Sequence, residues 1–383
     1  MLRLLLLCCL WLTGCATAPP TDRSIDHLFD DAAVAPPTVP IDPAAVLAPS
    51  PRMKAYLREV IEPRVGRLAS HQRVIEALYD DKNLKLLYDT ELTRNAAEAF
   101  DARRGNCLSL VLMTAALARE LGLSVRFQSV EVEETWGRDG DLVLFVGHVN
   151  LALGRSLPGK RVLDGPGDWL TIDFLPNADL SRQRSTEIDQ ARILAMYMNN
   201  KAVEALASGQ VDEAYWWARE ALRQDRSFVS AVNTLGVVHQ RRGRPALAEA
   251  ALRHVLSLEP TNSHALGNLQ HALLQQGRTA EAEVVSRQLA LLQPTTPFAL
   301  LDHGRQAMDR GDYALARRRF EQALRRGGDY HEFHFWLAQA LAKLGDVAGA
   351  AKQLELAKEG SSTQRLQAMY AGKLQRLREQ WVH

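Results

Sequence analysis

The second half of the chain repeats at an interval of 34 residues. Five glycines mark this interval: Gly209, Gly243, Gly277, Gly311 and Gly345. Each of them is followed five residues later by an alanine: Ala214, Ala248, Ala282, Ala316 and Ala350. A recurring unit of this length, with small residues where helices cross, predicts a stack of helix–turn–helix pairs that share a continuous core.

One unit shows the pattern most completely, in the stretch NTLGVVHQRRGRPALAEAALRHVLSLEP. With Leu235, Gly236, Leu252 and Pro260 in place, it resembles the tetratricopeptide (TPR) family. The resemblance implies five TPR repeats over residues 193–360, which would form an all-α solenoid. Residues 361–383 are predicted to be an amphipathic helix that caps the open end, because a terminal repeat otherwise leaves an apolar face in water. A partner-binding tail is the alternative for this segment.

Stacked helix pairs form a concave groove that the first helix of each pair lines. Six polar residues are placed near this groove by their register: Asn233, Gln240, Arg241, His271, Gln275 and Arg305. Each of them alone is explained equally well as solvated surface. As a group they predict a mixed polar, modestly basic groove for a peptide or protein segment.

The N-terminus predicts export and attachment to a membrane. Arg3 precedes an apolar stretch that is too short to span a bilayer, and Leu12-Thr13-Gly14-Cys15 resembles a bacterial lipobox. The resemblance implies that residues 1–15 are a lipoprotein signal peptide and that Cys15 is lipidated. An ordinary cleaved signal that happens to end in Gly-Cys is the alternative. Ala16 stands where an inner-membrane retention signal has Asp, which favours a periplasm-facing lipoprotein in the outer membrane of a Gram-negative cell envelope.

Residues 16–50 are rich in proline and alanine, which predicts an extended tether. Within it, Ile25, Leu28 and Phe29 have helical spacing. Docking of this part on the domain that follows is therefore an alternative.

Residues 51–190 are predicted to form an α+β domain. A helical pattern leads to a strongly apolar helix at 106–121, and the rhythm then changes to short runs rich in β-branched and aromatic residues at 124–132, 141–153 and 169–176. Helices followed by successive antiparallel strands are typical of an α+β fold.

A single cysteine begins the apolar helix. Cleavage of the predicted signal peptide would remove Cys8 and Cys9, and lipidation would modify Cys15. Cys107 would then be the sole free thiol of the mature protein, in a compartment where disulfides are common. It follows Asn106, a good helix N-cap, and the first turn of a helix offers partial positive charge to a thiolate.

Two polar residues in the predicted strands are candidate partners for this thiol. His148 and Asp173 stand in apolar runs, where an ionisable group is costly unless it is paired. A nucleophilic cysteine needs an imidazole to exchange protons with, and a further acceptor to orient that imidazole.

The order of GNCLSL, GHVNLAL and TIDFLP along the chain resembles the transglutaminase-like branch of the papain-fold cysteine enzymes. The resemblance implies a papain/transglutaminase-like α+β domain with Cys107 as nucleophile, His148 as general base and acid, and Asp173 as the residue that orients the histidine. It also implies acyl transfer from an amide, with hydrolysis, deamidation or cross-linking as the outcome. The backbone N–H of Cys107 is one expected oxyanion donor, and Gln128 is a candidate for the other.

Several alternatives stay open on the sequence alone. Asp164 and Asp168 could replace Asp173 as the third member, and Cys107 and His148 could be core residues of a non-catalytic scaffold. A cell-wall amide, as in a peptidoglycan hydrolase, is a further possible substrate.

The sequence does not support a nucleic-acid-binding protein or a metalloprotein. The balance of 46 basic and 45 acidic residues lacks the excess typical of nucleic-acid binding. The 11 histidines show no paired spacing with cysteine or carboxylates, so neither a metal nor a cofactor is expected.

Overall fold

The computed structural model describes residues 24–65, 84, 86–89, 92–130, 136–139, 142–145, 148–154, 169–174, 184–292, 297–328, 330–361 and 364–379. Cys15 and the predicted signal peptide lie outside the described residues, as do Asp164 and Asp168. In the described ranges, a region that combines helices with a small sheet precedes a solenoid of paired helices.

Among the described residues of the first region there are four short helical elements and one long helix. The elements are α1 (Pro51–Tyr56), a π-helical turn (Leu57–Ile61), α2 (Glu62–Val65), α3 (Ala96–Ala102) and α4 (Cys107–Glu120). The side chain of Asn106 accepts the N–H of Ser109 at 2.9 Å, so α4 begins at Cys107. It ends before Gly122, whose φ of +73° suits a glycine after a helix. These bounds agree with the helix expected over 106–121.

Helix α4 is the centre of this region. Every residue from Cys107 to Ala118 is buried. One side of the helix packs on the sheet, through Val111 and Leu112 among others, and the other side packs against α1 and α3, through Met113 and Leu117. A helix that is apolar all round requires such burial on both sides.

Four antiparallel strands form the main sheet, in the order β7–β6–β3–β8. They are β3 (Ser124–Val130), β6 (His148–Gly154), β7 (Trp169–Ile172) and β8 (Ser185–Ile188). Two further pairs are separate: β1 (Leu87–Tyr88) with β2 (Arg104–Gly105), and β4 (Trp136–Asp139) with β5 (Leu142–Phe145). The run expected as one strand at 141–153 is therefore two strands, β5 and β6, and β8 was not expected.

In the part of the solenoid that the structure describes, there are five helix pairs and a final helix. The pairs are α5 (Gln190–Ala207) with α6 (Val211–Gln224), α7 (Val229–Arg241) with α8 (Pro245–Leu258), α9 (Ser263–Gln275) with α10 (Thr279–Leu292), α11 (Pro297–Asp309) with α12 (Tyr313–Gly327), and α13 (His331–Lys343) with α14 (Val347–Glu359). Helix α15 (Gln364–Glu379) packs on α14 at the end, where the capping helix was expected. The five periodic glycines lie between the helices of each pair with φ from +69° to +82°, so they permit the left-handed turn.

The part of the expected tether that the structure describes, residues 24–50, lies against the repeats. It forms three short 3-10 turns and buries Ile25, Leu28, Val34 and Val46 in the same core as α6, α7 and α8. The tether expectation is thus wrong for residues 24–50, because apolar residues recur between the prolines and have a surface to cover. The docking expected for Ile25 and Leu28 occurs, but on the repeats.

The sheet region and the first repeats share one hydrophobic core. Cys107, Val149 and Leu151 belong to the same buried cluster as Tyr197 of α5 and Leu235 of α7. A second cluster holds the last two repeats and α15 together. Among the described residues, no helix has both the length and the apolarity needed to cross a membrane.

A glycine inside α11 gives a test of the packing in the second cluster. A Cβ at Gly304 would lie 2.2 Å from Cε1 of Phe320, a fully buried side chain. We expect Gly304→Ala to lower the free energy of unfolding by about 1–3 kcal/mol through overpacking. Gly267→Ala is the matched control, since its nearest neighbour is a side-chain carbon of Leu289 at 4.0 Å. The control should be neutral or stabilising by up to about 1 kcal/mol; equal losses in urea titrations of both variants would contradict the packing argument.

Candidate functional site

A sterically fixed turn sets the position of Cys107. Strand β1 pairs in parallel with β2, with Tyr88 opposite Gly105, two residues before the cysteine. A Cβ at Gly105 would lie 2.6 Å from the Cβ of Ser109 in α4. Arg103 has a φ of +52°, and no other non-glycine residue in the described ranges has a positive φ. Strained backbone of this kind persists where the surrounding structure holds it.

The structure brings His148 and Asp173 into direct contact. Nε2 of His148 lies 2.8 and 2.7 Å from the two carboxylate oxygens of Asp173, and both side chains are almost fully buried. The side-chain amide of Asn150 donates to the same carboxylate at 3.0 Å. His148 is the first residue of β6 and Asp173 directly follows β7, so both lie at strand ends and not inside strands as the sequence predicted.

The imidazole of His148 also forms a hydrogen bond with Cys107. Because Nε2 contacts Asp173, Nδ1 is the ring nitrogen left to face the sulfur. Burial favours the neutral ring, but the hydrogen bonds to Asp173 and Cys107 and the charges of both groups raise the pKa of His148 to about 9. The ring is therefore an imidazolium at neutral pH, with one N–H directed to each partner.

This raised pKa makes the stability of the fold depend on pH. Histidine ordinarily titrates near 6.5, so the folded state binds this proton more tightly than the unfolded state. The extra stability is complete below pH 6.5 and is lost as the pH rises through about 9. We expect the free energy of unfolding to fall by on the order of 2–3 kcal/mol across this range. Denaturant titrations at several pH values measure it, and a His148→Gln variant with the same slope would disprove the assignment.

Tyr88 lies at the site and was not expected from the sequence. The backbone N–H of Cys107 donates a hydrogen bond to its hydroxyl. Burial and the negative charges of Cys107 and Asp173 raise the pKa of Tyr88 above its ordinary value of 10. The phenol thus keeps its proton at neutral pH and can donate it in a hydrogen bond. A two-residue strand carries no readable periodicity, and only its pairing with Gly105 reveals the contact.

Gln128 is the residue that the sequence offers as a candidate for the second oxyanion donor. It lies on β3 opposite Asn150, the residue that donates to Asp173. The structure therefore places Gln128 beside the carboxylate end of the site, while Tyr88 is the side chain at the N–H of Cys107.

The six residues expected in the repeat groove differ in their surroundings. Arg241, His271 and Gln275 are exposed, and Gln240 is half-buried. Asn233 accepts the side-chain amide of Asn268 at 3.1 Å, which joins neighbouring repeats. The guanidinium of Arg305 lies 5.2 Å from the ring centre of Trp336, a contact between the last two repeats.

No group of three or more histidine, cysteine or carboxylate side chains with the arrangement of a metal site occurs among the described residues.

Family comparison identifies the paired helices. Two models described as tetratricopeptide repeat match residues 239–300 and 301–364. Residues 239–364 in the C-terminal region therefore consist of TPR repeats. TPR proteins as a class bind peptide or protein partners.

Solved structures with some similarity to the chain include TPR proteins. One is a thermophilic TPR protein of Thermus thermophilus, with 20% identity over 47% of this chain and 98% of that chain and a TM-score of 0.32. PilF of Pseudomonas aeruginosa has 23% identity over 48% of this chain and 84% of that chain, with a TM-score of 0.31. YrrB, described as a TPR protein with an unusual peptide-binding site, has 17% identity over 47% and 92%, with a TM-score of 0.25. A comparison with curated proteins gave no match.

Proposed function

We propose that the protein is a cysteine enzyme that transfers acyl groups from amides, and that its TPR repeats recruit the protein substrate or a partner. The observation that carries the proposal is the position of the His148 ring, which binds Asp173 through Nε2 at 2.7 Å and also hydrogen-bonds to Cys107. An imidazolium beside a sulfur at a helix N-terminus is the arrangement that nucleophilic cysteines use. We further propose that this domain belongs to the transglutaminase-like branch of the papain fold.

The reaction follows from the roles of these three residues. The thiolate of Cys107 attacks the carbonyl carbon of an amide, and a C–S bond forms as the carbonyl oxygen takes the negative charge. His148 gives its proton to the leaving nitrogen, the C–N bond breaks, and a thioester remains on Cys107. Water or an amine then attacks the thioester, His148 takes a proton from it, and the thiolate is released. Asp173 holds the ring in position and stabilises its charge throughout.

Tyr88 supplies the second oxyanion donor in this proposal. Its hydroxyl lies at the backbone N–H of Cys107, the group that the tetrahedral oxyanion would also approach. Its raised pKa keeps a proton available for that oxygen at neutral pH. On substrate binding, the N–H of Cys107 and the O–H of Tyr88 would both donate to the oxyanion.

We also propose that the chain is a lipoprotein attached to the membrane through Cys15 and facing the periplasm of a Gram-negative cell. The lipobox-like stretch that ends at Cys15 supports this location. Water as acceptor would give hydrolysis or deamidation, whereas a lysine amine would give cross-linking. The same chemistry would serve a protein amide or a cell-wall amide.

The pH profile of Cys107 alkylation tests the enzyme proposal without a known substrate. We expect iodoacetamide to react with Cys107 at pH 6 nearly as fast as at pH 8, with a further step near pH 9, where His148 loses its proton. A Cys107→Ser variant controls for labelling elsewhere. An ordinary thiol loses reactivity about tenfold per pH unit below pH 8.5. Such a profile would overturn the enzyme proposal and favour a scaffold whose repeats carry the function.

A further inference from the structure

Residues 24–38 are held on the first two repeats largely through their main chain. Five repeat side chains bind N–H and carbonyl groups of this main chain. Tyr215 accepts the N–H of Asp30 at 2.8 Å, and Glu213 accepts that of Thr38 at 2.6 Å. His239 donates to the carbonyl of Leu28 at 2.8 Å, Trp216 donates to that of Ala35 at 2.6 Å, and Arg242 donates to that of Ala33. Side chains that hydrogen-bond to a main chain in this way can hold a peptide largely irrespective of its sequence. This is how peptide-binding surfaces obtain affinity.

Charge selects which peptides fit this surface. The carboxylate of Asp31 accepts the hydroxyl of Tyr215 at 2.5 Å and two nitrogens of Arg219 at 3.2 and 3.3 Å. Although burial opposes it, these hydrogen bonds lower the pKa of Asp31. The carboxylate of Asp30 lies 3.8 and 3.9 Å from the guanidinium groups of Arg242 and Arg244. An acidic segment thus meets a basic face.

Apolar anchors fix the register of the segment. Ile25 and Leu28 are almost completely buried, at 1% and 0% exposure. The guanidinium of Arg219 lies 4.1 Å from the ring centre of Phe29 and binds Asp31 at the same time. The recognised pattern is therefore an apolar residue and an aromatic residue followed directly by two carboxylates.

We propose that the face built by Tyr215, Trp216, Arg219, His239 and Arg242 is a recognition surface for acidic segments, and that residues 24–38 occupy it in cis. The partner is a protein that carries the same pattern in an exposed segment and competes with residues 24–38 for the face. Three of the five residues lie on α6, the second helix of its pair, so the face differs from the groove of first helices. The proposal does not depend on the chemistry of Cys107.

A peptide in solution must compete with a covalently attached one. A short connection gives the attached segment an effective concentration in the millimolar range. The unmodified chain should therefore bind a labelled peptide of residues 24–38 weakly. A full-length variant with Leu28→Asp and Asp31→Arg, which release the attached segment and leave the face intact, should bind that peptide at least 100-fold more tightly.

Reversing the charges of Arg219 on the repeats and of Asp31 on the peptide tests whether the peptide binds at this face. Adding Arg219→Glu to the released variant should weaken binding of the peptide more than tenfold, and a peptide with Asp31→Arg should recover part of that loss. Arg223→Glu is the matched control, because Arg223 lies on the same helix and pairs with Glu220 of that helix at 2.8 Å. A released variant with the circular dichroism of the unmodified chain and no affinity for the peptide would overturn the proposal.

If that variant fails to fold, hydrogen exchange on the unmodified chain tests whether residues 24–38 can be displaced from the repeats. The amides of Asp30 and Thr38 are bonded to side chains of Tyr215 and Glu213. In a displaceable segment they exchange faster than the amides of α6, and faster still with excess peptide. Exchange at the same rate as α6 would mean that residues 24–38 are a permanent part of the core, and the proposal would be wrong.

Discussion

Replacing His148 with glutamine should slow the acylation of Cys107 by p-nitrophenyl acetate by about 10²–10⁴-fold. The glutamine keeps a polar side chain at the start of β6 but can neither exchange a proton with the sulfur nor carry the charge that Asp173 stabilises. An activated ester needs only a nucleophile, so the release of p-nitrophenol reports on the site before any natural substrate is known. The acetylated peptide that contains Cys107 identifies the site by mass spectrometry.

A histidine elsewhere in the chain serves as the control for this experiment. His303 is exposed on α11, far along the repeats, and His303→Gln should leave the acylation rate unchanged. Acylation of His148→Gln within a factor of about three of the unmodified rate would mean that His148 takes no part in activating the sulfur.

Replacing Tyr88 with phenylalanine should slow the same acylation by about 10–100-fold, because one of two donors to the oxyanion is lost. The ring still packs between the two clusters that surround α4, so the fold is kept. Alkylation by iodoacetamide passes through no oxyanion, and its rate should stay within about twofold.

The comparison of the two reagents separates the possible roles of Tyr88. A parallel loss of acylation and alkylation would show that the phenol only positions Cys107. Unchanged or faster acylation would show that the phenol is no oxyanion donor and competes with the substrate for the N–H of Cys107.

The features that follow from periodicity could be predicted from the sequence. The repeated glycines located the helix pairs, and Asn106 and Gly122 located the ends of α4 to within a residue. His148 and Asp173 could be singled out because ionisable groups in apolar runs require partners. Their contact at 2.7 Å depends on the register of β6 and β7, in which Leu151 pairs with Ile172. No local sequence pattern specifies this register.

Features that depend on tertiary contacts could not be predicted in this way. Tyr88 reaches Cys107 because two-residue strands pair across 17 positions of the chain, from Tyr88 to Gly105. Residues 24–50 have the composition of a flexible linker, and their few apolar side chains find partners only because α6 and α7 offer a surface. Composition describes the average of such a segment, whereas docking depends on a few residues such as Leu28.

Under the proposed lipid attachment at Cys15, the contact of residues 24–38 with the repeats would also limit the distance between the protein and the membrane. With a lipid on Cys15, only residues 16–23 would connect the lipid to the bound segment. A tether of the length expected from the sequence would use all of residues 16–50. At about 3.5 Å per residue, these residues reach roughly 30 Å at full extension, against more than roughly 100 Å for the whole stretch. The first two repeats would then work close to the lipid headgroups, and release of the segment by a competing partner would let the molecule swing outward by several nanometres.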